Sequence, residues 1–162
     1  MALKATLKVT GVNQEFTIVE FEYRLCQFVN SNGIPIDAPH GGMIIVTINT
    51  PDKSSPLYDW MLKPTKQADG KIMTTINAKN KQNSYKTIHF QGAYCTNMLE
   101  YFNNQSSDMM TTRLVIHAEK IFFLDGDGVG VGFNSQSQKM IDPPVGVGRL
   151  PEKKSNGVEL LY

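Results

Sequence analysis

The chain has 162 residues, of which 41% are hydrophobic and 19% charged, and its 16 basic and 15 acidic side chains give a formal net charge of +1. That length is enough for one domain with a proper core, and the lack of a dense basic cluster argues against a nucleic-acid partner. No apolar run reaches the ~18–20 residues of a membrane span, so we expect no membrane insertion. The start lacks the apolar region of a signal peptide, which predicts a protein made in the cytoplasm.

The chain begins with two predicted strands, because apolar and polar residues alternate there with a period of two. The first includes Leu3 to Val9, and the second runs from about Glu15 to Phe28. Within the second strand the apolar positions change parity. This change predicts a β-bulge near Ile18 and Val19, and bulges bend strands towards barrel closure.

A polar, turn-rich loop is predicted from Asn30 to His40, followed by a third strand from Gly41 to Asn49. The third strand is nearly continuous in apolar residues, so we expect both its faces to be covered. Ile34 and Ile36 are apolar exceptions in the loop, and they should be exposed in an isolated subunit.

One short helix is clearly indicated. Ser54 or Ser55 is expected to cap its first turn, and Pro56 suits the first helical position. Lys63-Pro64 should end it, because a residue before proline avoids the helical region. The expected apolar stripe comprises Leu57, Trp60 and Met61.

The alternating pattern then resumes up to residue 124. The predicted strands are Lys71 to Lys79, Tyr85 to Tyr94, the more ambiguous Cys95 to Phe102, and Arg113 to Leu124. The predicted turns are Ala68 to Gly70, Asn80 to Asn83, and Asn103 to Ser107. Together these elements predict a mainly β protein, an antiparallel β-barrel or sandwich of about seven or eight strands with one short flanking α-helix.

The last part of the chain has a different composition. Residues 125–162 hold seven of the 13 glycines and three of the eight prolines. We therefore expect a barrel domain over residues 1–124 and a Gly/Pro-rich C-terminal extension over residues 125–162. Val-Gly-Val-Gly occurs at 129–132 and again at 145–148, and alternating glycines let another backbone approach closely. A hairpin, packing against the barrel and a loose tail all fit this pattern, and residues 133–144 are expected to form a mobile loop.

The residues that carry chemistry are few and scattered. His40, His89 and His117 are the candidates for a general base or metal ligand, but neither cysteine has a second ligand at zinc spacing. We expect structural or interface roles for these histidines. Cys26 and Cys95 are expected to be reduced, buried thiols.

Two further motifs do not match the templates of known binding or catalytic sites. Asp125 to Gly128 resembles the start of a calcium loop, but Val129 and Gln136 occupy positions that need an oxygen ligand and a glutamate. The glycines nearby lack phosphate-loop spacing, and no serine lies in a nucleophile elbow. The sequence therefore predicts no catalytic, cofactor or metal site, and no enzyme. Aromatic residues at strand spacing are expected in the core rather than on a stacking platform; they are Tyr94, Tyr101, Phe102, Phe122 and Phe123.

Local sequence over residues 2–124 resembles the Hcp family, the tube-forming proteins of type VI secretion systems, in its TssD branch. MALKATLKVTG resembles the family's first strand, and EFTIVEFEYRLCQFVNSNGIP its second strand and long loop. HGGMIIVTINTPDKSSPLYDWML resembles the strand that leads into the helix, and FQGAYCTNMLEYF and TTRLVIHAEKIFF resemble the closing strands.

The resemblance implies a hexameric ring of barrels, with rings stacked into a hollow tube that carries effectors. The implied partners are other copies of the chain and the sheath, spike and effector proteins. The protein would leave the bacterial cytoplasm through the type VI apparatus without a signal peptide. The long loop is placed to reach an adjacent ring, so its expected ring-stacking residues are Asn32, Gly33, Ile34, Pro35 and Ile36.

Two other functions remain open at this stage. The tail-tube protein of a phage or of a phage-like contractile particle has the same physical requirements. A small β-barrel that binds a ligand in its mouth is a candidate of another class. Molecular mass separates an assembly subunit from the monomeric ligand binder.

Overall fold

A computed structural model describes residues 3–76, 85–105 and 109–143. Within these ranges the chain forms nine strands and one α-helix. They are β1 (Ala5–Val9), β2 (Glu15–Tyr23), β3 (Met43–Asn49), α1 (Ser55–Leu62), β4 (Ala68–Thr75), β5 (Tyr85–Tyr101), β6 (Thr111–His117), β7 (Lys120–Leu124), β8 (Gly130–Asn134) and β9 (Lys139–Ile141).

Six of the strands close into an antiparallel barrel in the order β1, β2, β3, β6, β5, β4, because β4 pairs with both β5 and β1. Strands β7, β8 and β9 continue the sheet from the first half of β5. The predicted class is confirmed, a mainly β antiparallel barrel with one flanking helix. The barrel interior is filled by fully buried side chains such as Leu7, Phe16 and Phe90.

The bulge predicted in the second strand is present. The register between β2 and β3 shifts between Ile18 and Glu20. Before the shift Phe16 and Ile18 are buried, and after it Phe21 packs against the core. The extra residue therefore changes which positions face the barrel interior, as the sequence pattern indicates.

Strand β3 has one face fully covered. Ile44, Val46 and Ile48 are fully buried in the core. On the other face Met43 is 43% exposed, so the expectation that both faces are covered does not hold within one subunit. The continuous apolar run thus leaves apolar surface on the outside of the barrel.

The turn predicted at Ala68 to Gly70 is wrong, because β4 already begins at Ala68. Gly70 is buried, and a Cβ at this position would collide with the ring of Phe90 and lie 2.6 Å from the carbonyl oxygen of Lys8. The glycine is needed for close packing inside the barrel rather than for a turn.

Two predicted strand bounds are also wrong. The second strand ends at Tyr23 rather than Phe28. The run from Arg113 to Leu124 is two strands, because β6 pairs with β3 and the second half of β5, whereas β7 pairs with the first half of β5. The ambiguous run after Tyr94 is confirmed as a strand, since β5 continues to Tyr101.

The turn predicted after β5 begins at Asn103, whose side-chain oxygen accepts from the Gln105 N–H at 2.9 Å. Its last two residues, 106 and 107, lie outside the described residues. The same holds for the turn predicted at 80–83, for the end of the strand predicted at 71–79 and for the second Val-Gly-Val-Gly copy at 145–148.

Helix α1 lies on the flank of the barrel, as predicted. The expected serine cap is absent, since the Ser54 hydroxyl donates to the Pro51 carbonyl at 3.3 Å and no side chain caps the first turn. Leu57 and Trp60 are buried, and the Trp60 indole N–H donates to the Ala93 carbonyl at 3.0 Å. Within the described ranges no helix has both the length and the apolar character to cross a bilayer.

Strand β8 shows what the first Val-Gly-Val-Gly copy does. A Cβ at Gly130 would collide with the backbone of Phe123, so the glycine lets β8 pair closely with β7. Phe133 is only 7% exposed, and β9 follows at Lys139–Ile141. Residues 133–141 are therefore hairpin rather than the expected mobile loop. The boundary of an extension at 125 stays a prediction.

Candidate assembly surfaces

The segment that connects β2 to β3, residues 24–42, is an ordered hairpin-like arm. Cys26 and His40 exchange backbone hydrogen bonds of 3.1 and 2.8 Å. Farther out, the Ile36 N–H donates to the Phe28 carbonyl at 2.9 Å. The arm thus holds a defined shape although it contributes little to the core.

The end of the arm is a tight turn built on Asn30. Its side-chain oxygen accepts from the backbone N–H groups of Asn32 and Ile34 at 2.9 and 3.1 Å. Gly33 has a φ of +77°, and Pro35 forms a bridge with Val29. The five residues predicted to stack rings, Asn32 to Ile36, therefore lie together at this turn.

The arm exposes unusually many apolar side chains for its length. We define the arm tip as residues 28–36, in which no residue is charged. The exposed apolar residues of the arm are Leu25, Phe28, Val29, Ile34 and Ile36, at 49–66%. Exposed apolar side chains grouped in one short segment are typical of a protein–protein contact.

The root of the arm is fixed by His40. The Gln138 side-chain amide lies 3.0 Å from His40 Nδ1, and His40 Nε2 lies 3.0 Å from Asp37 Oδ2. Since the amide N–H donates to Nδ1, Nε2–H donates to the carboxylate. The pKa of Asp37 is lowered by the Ala38 N–H and then by His40. His40 therefore connects the arm to the turn between β8 and β9.

A shallow apolar groove of about 380 Å³ lies between the arm root and the β7–β9 sheet. Its lining residues are Leu25, Cys26, Gln27, Pro39, Phe123, Val131, Gly132, Phe133 and Met140. Cys26 is exposed, which corrects the expectation of two buried thiols, whereas Cys95 is buried. The groove is outside the barrel, whose interior is filled, so it does not form a ligand-binding mouth.

Four strand segments form an open sheet on one side of the barrel. We define the open sheet as Ile18–Tyr23 of β2, all of β3 and β6, and Tyr94–Tyr101 of β5. Their registers give successive rows across the sheet, from a row with Met43, His117 and Tyr94 to a row with Asn49, Thr111 and Tyr101. One face of these rows forms the core, and the other face is uncovered in the subunit.

Both edges of the open sheet lack a backbone partner among the described residues. On β2, the pairing with β1 covers only Glu15 to Thr17, so Ile18–Tyr23 pair with β3 alone. On β5, the pairing with β4 ends at Ala93, so the segment after it pairs with β6 alone. Unpaired strand edges are ready-made templates for another strand.

A second exposed apolar cluster lies at the end of the sheet where β5 meets β6. We define the aromatic end as Tyr101, Phe102 and Met109, which are 56%, 71% and 51% exposed. Tyr94 is also 39% exposed. The expectation that these aromatic residues lie in the core is therefore wrong for Tyr94, Tyr101 and Phe102. It is right for the buried Phe122, and Phe123 is partly buried.

The remaining sequence candidates form no chemical site. His89 is half-buried, and its pKa is lowered by burial and then by Lys71. The Asp125 to Gly128 segment is a turn, with Gly128 N–H donating to the Asp125 carbonyl at 2.9 Å. In the part of the chain that the structure describes, no three His, Cys, Asp or Glu side chains are grouped to hold a metal ion.

The family model for hemolysin coregulated protein Hcp (TssD) matches residues 1–127, well over half of the chain. The chain belongs to the Hcp (TssD) family. This membership makes it a tube protein of a type VI secretion system. No curated protein sequence matches the chain significantly.

Solved Hcp structures share the fold. Hcp1 from Flavobacterium johnsoniae is 24% identical, with a TM-score of 0.67 over 81% of this chain and 98% of that one. Hcp1 from Salmonella typhimurium is 10% identical, with a TM-score of 0.67 over 86% and 100%. The secreted protein Hcp3 from Pseudomonas aeruginosa is 14% identical, with a TM-score of 0.60 over 82% and 98%.

The sequence pattern located the arm tip but not the other two candidate assembly surfaces, the edges of the open sheet and the aromatic end. The open-sheet edges arise because β1 pairs with only part of β2 and β4 with only part of β5. The alternation of residues within one strand does not show how far that strand pairs with its neighbours. The aromatic end was visible as a run of aromatic residues, yet strand spacing alone does not distinguish core from surface.

Proposed function

We propose that this Hcp protein forms hexameric rings that stack into a hollow tube, which carries effector proteins and performs no catalysis. The observation that carries the proposal is the open sheet, with one unpaired edge on β2 and the other on β5. The protein would be made in the bacterial cytoplasm and exported through the type VI apparatus, with sheath, spike and effector proteins as its partners.

Strand direction explains how neighbours join. The open sheet has four antiparallel strands, so its two edge strands, β2 and β5, run in opposite directions. When two copies point the same way, β5 of one copy therefore lies antiparallel to β2 of the next. Such a head-to-tail contact leaves the same two edges free again, and it repeats until a ring closes.

The circumference of a six-copy ring follows from its number of strands. Four strands from each of six copies make 24 strands, and at ~4.8 Å spacing these give a circumference of about 115 Å. A closed sheet of this size surrounds a channel rather than a packed core. The uncovered face of the open sheet would line that channel, since the other face is the core of each subunit.

The arm accounts for stacking. It leaves the open sheet after Tyr23 of β2 and returns to it at Met43 of β3, so it extends from one end of the ring. We assign ring stacking to Asn32, Gly33, Ile34, Pro35 and Ile36, because two exposed isoleucines lie on a turn with a defined shape.

Mass and shape in solution test the ring. Size-exclusion chromatography with light scattering should give about 109 kDa, six times the 18.1 kDa subunit, and negative-stain images should contain rings. Large obligate interfaces survive dilution. A monomer at micromolar concentration would contradict the proposal and would favour a ligand-binding barrel.

A double substitution in the arm tests stacking. Ile34→Asp with Ile36→Asp should leave folded rings and abolish tubes and secretion, since buried charges oppose the contact between rings. The matched control is Leu3→Asp with Val129→Asp, which adds the same charge at positions 60% and 58% exposed. Normal secretion by the arm variant, or its failure to fold, would refute the assignment.

A further inference from the structure

We propose that the arm tip of one copy docks on the aromatic end of a second copy in the next ring. This inference rests on the proposed stacking of rings, and it identifies the surface that receives the arm. The contact would join residues 28–36 of one subunit to Tyr101, Phe102 and Met109 of another.

The two surfaces lie at opposite ends of the open sheet. The arm joins β2 to β3 beyond the row of Met43 and His117. Tyr101 lies in the row of Thr111 and Asn49, at the other end, and Phe102 follows it directly. Six strand steps along β6 separate these rows, or about 20 Å at ~3.4 Å per residue.

Because the two surfaces lie at opposite ends, the aromatic end is expected to bind the arm tip of a second copy. An arm tip cannot fold back onto the aromatic end of its own subunit, because the whole open sheet lies between them. When rings stack in one orientation, however, the arm end of each ring faces the aromatic end of the next. The contact is heterologous and does not close, which is the geometry that generates a filament.

The two surfaces also match in chemistry. The arm tip has no charged residue and exposes Phe28, Ile34 and Ile36 at 57–66%. On the receiving side, residues 101–105 and 109–112 contain no charged side chain, and Asp108 is the one charged residue between 101 and 112. Centres of interfaces are depleted in charge and enriched in aromatic residues and methionine, and this pairing has that composition.

The chain offers a direct test by cross-linking. Both proteins carry Cys26→Ser, which removes the exposed native thiol, while Cys95 stays buried. One preparation carries Ile34→Cys and an affinity tag, and the other carries Phe102→Cys without a tag. The two ring preparations are mixed under tube-forming conditions and treated with a short bismaleimide.

A tagged-to-untagged dimer is the expected product. The control replaces Phe102→Cys with Met140→Cys, which is 74% exposed on β9, beside the arm root and outside the open sheet. A link to the Met140→Cys protein of equal yield, or tubes that form without the Ile34–Phe102 link, would overturn the inference. In the second case the proposed function would stand, because rings and tubes would still be present. Absence of rings would instead refute the proposed function itself.

Charge substitution gives a second readout. Phe102→Asp should leave rings intact and remove tubes, and adding Ile34→Lys to it should restore tube length at least in part. Leu62→Asp, at a position 74% exposed on α1, is the control and should leave tubes unchanged. If Phe102→Asp forms normal naked tubes but is not secreted, the aromatic end contacts another component such as the sheath, and the inference fails.

Discussion

Trp60 holds α1 to the barrel through packing and one hydrogen bond. It is 3% exposed, its ring stacks on Phe90 with centroids 6.4 Å apart, and its indole N–H bonds to Ala93. Trp60→Ala should reduce the free energy of unfolding by roughly 3–5 kcal/mol, a large part of the ~5–15 of a typical domain. Urea unfolding at fixed subunit concentration measures this loss.

The control for that substitution is Trp60→Phe, which keeps part of the packing and loses the hydrogen bond. Trp60→Phe should lower the free energy of unfolding by less than Trp60→Ala does. In the unsubstituted protein, the native tryptophan emission should be blue-shifted. Equal stability of the alanine variant and the parent, or emission like that of tryptophan in water, would contradict the burial of this side chain.

The two thiols should differ in reactivity. Burial raises the pKa of Cys95 to about 11, so only about one thousandth of it is thiolate at pH 8. Cys26 is exposed on the arm. A thiol reagent at pH 8 should therefore modify one cysteine quickly in native protein and both after unfolding. Cys26→Ser should remove the fast phase, and a fast phase that persists would place Cys95 in contact with solvent.

His89 should make the protein less stable in acid. Burial and then Lys71 lower its pKa in the folded state, so the unfolded chain binds more protons as the pH falls. The linkage relation then gives a free energy of unfolding that decreases as the pH falls through the unfolded pKa, near 6.5. His89→Gln should flatten urea stability between pH 7 and pH 5 relative to the parent.

The comparison for this effect is His117→Gln, which changes an exposed histidine on β6. The slope of stability against pH should be flatter in His89→Gln than in His117→Gln. An unchanged slope in His89→Gln would mean that other groups, such as the carboxylates of Asp37 and Asp59, dominate the acid response.

At the scale of elements, the β8–β9 hairpin supports the arm. Besides the Gln138–His40 contact, the Ser135 hydroxyl donates to the Ala118 carbonyl at 2.7 Å, at the break between β6 and β7. We propose that residues 1–124 keep the closed barrel alone, and that the hairpin after them orients the arm. A chain that ends after residue 143 should form rings and tubes, whereas one that ends after Leu124 should fold yet lose tubes.

Circular dichroism, light scattering and electron microscopy of both truncations test this division. The longer truncation is the matched control, because it keeps β8 and β9 and removes only later residues. Unfolded protein after the shorter truncation would place the hairpin in the core and would move the domain boundary beyond Leu124.

Local signals in the sequence predicted the elements that depend on neighbours in the chain. The parity change at Ile18 and Val19 gave the bulge, and Pro56 and Pro64 framed the helix. Features that depend on distant partners were not predictable. Gly70 reads as a turn until Phe90 is known to lie against it, and Ala118 reads as mid-strand until β6 and β7 are known to pair with different halves of β5.

Among the candidate assembly surfaces, the arm was predictable from local sequence, whereas the aromatic end was not. The apolar residues of the arm stand out because Gly33, Pro35 and Pro39 mark the segment as a loop. Phe102 carries no such marker, since an aromatic residue at the end of a strand pattern is equally compatible with core and surface. Its exposure depends on where β5 ends relative to β6, which only the register reveals.

At the scale of the whole molecule, the proposed ring would close through the two edges of the open sheet that lack a partner among the described residues. Val19 lies at the bulge on the β2 edge and is 56% exposed, and Leu99 lies on the β5 edge and is 52% exposed. Lysines on strand edges oppose pairing with another chain. Val19→Lys with Leu99→Lys should therefore give folded subunits with a native circular dichroism spectrum and a mass near 18.1 kDa by light scattering.

The matched control is Val129→Lys with Met140→Lys, which adds the same charge at exposed positions beside β8 and on β9, outside the open sheet. It should retain rings, so net charge alone is not the cause of dissociation. Because a ring has as many edge contacts as subunits, weakening each contact a little opens the ring cooperatively, and intermediate masses should be scarce. Intact rings in the edge variant would mean that neighbouring subunits join through another face of the barrel.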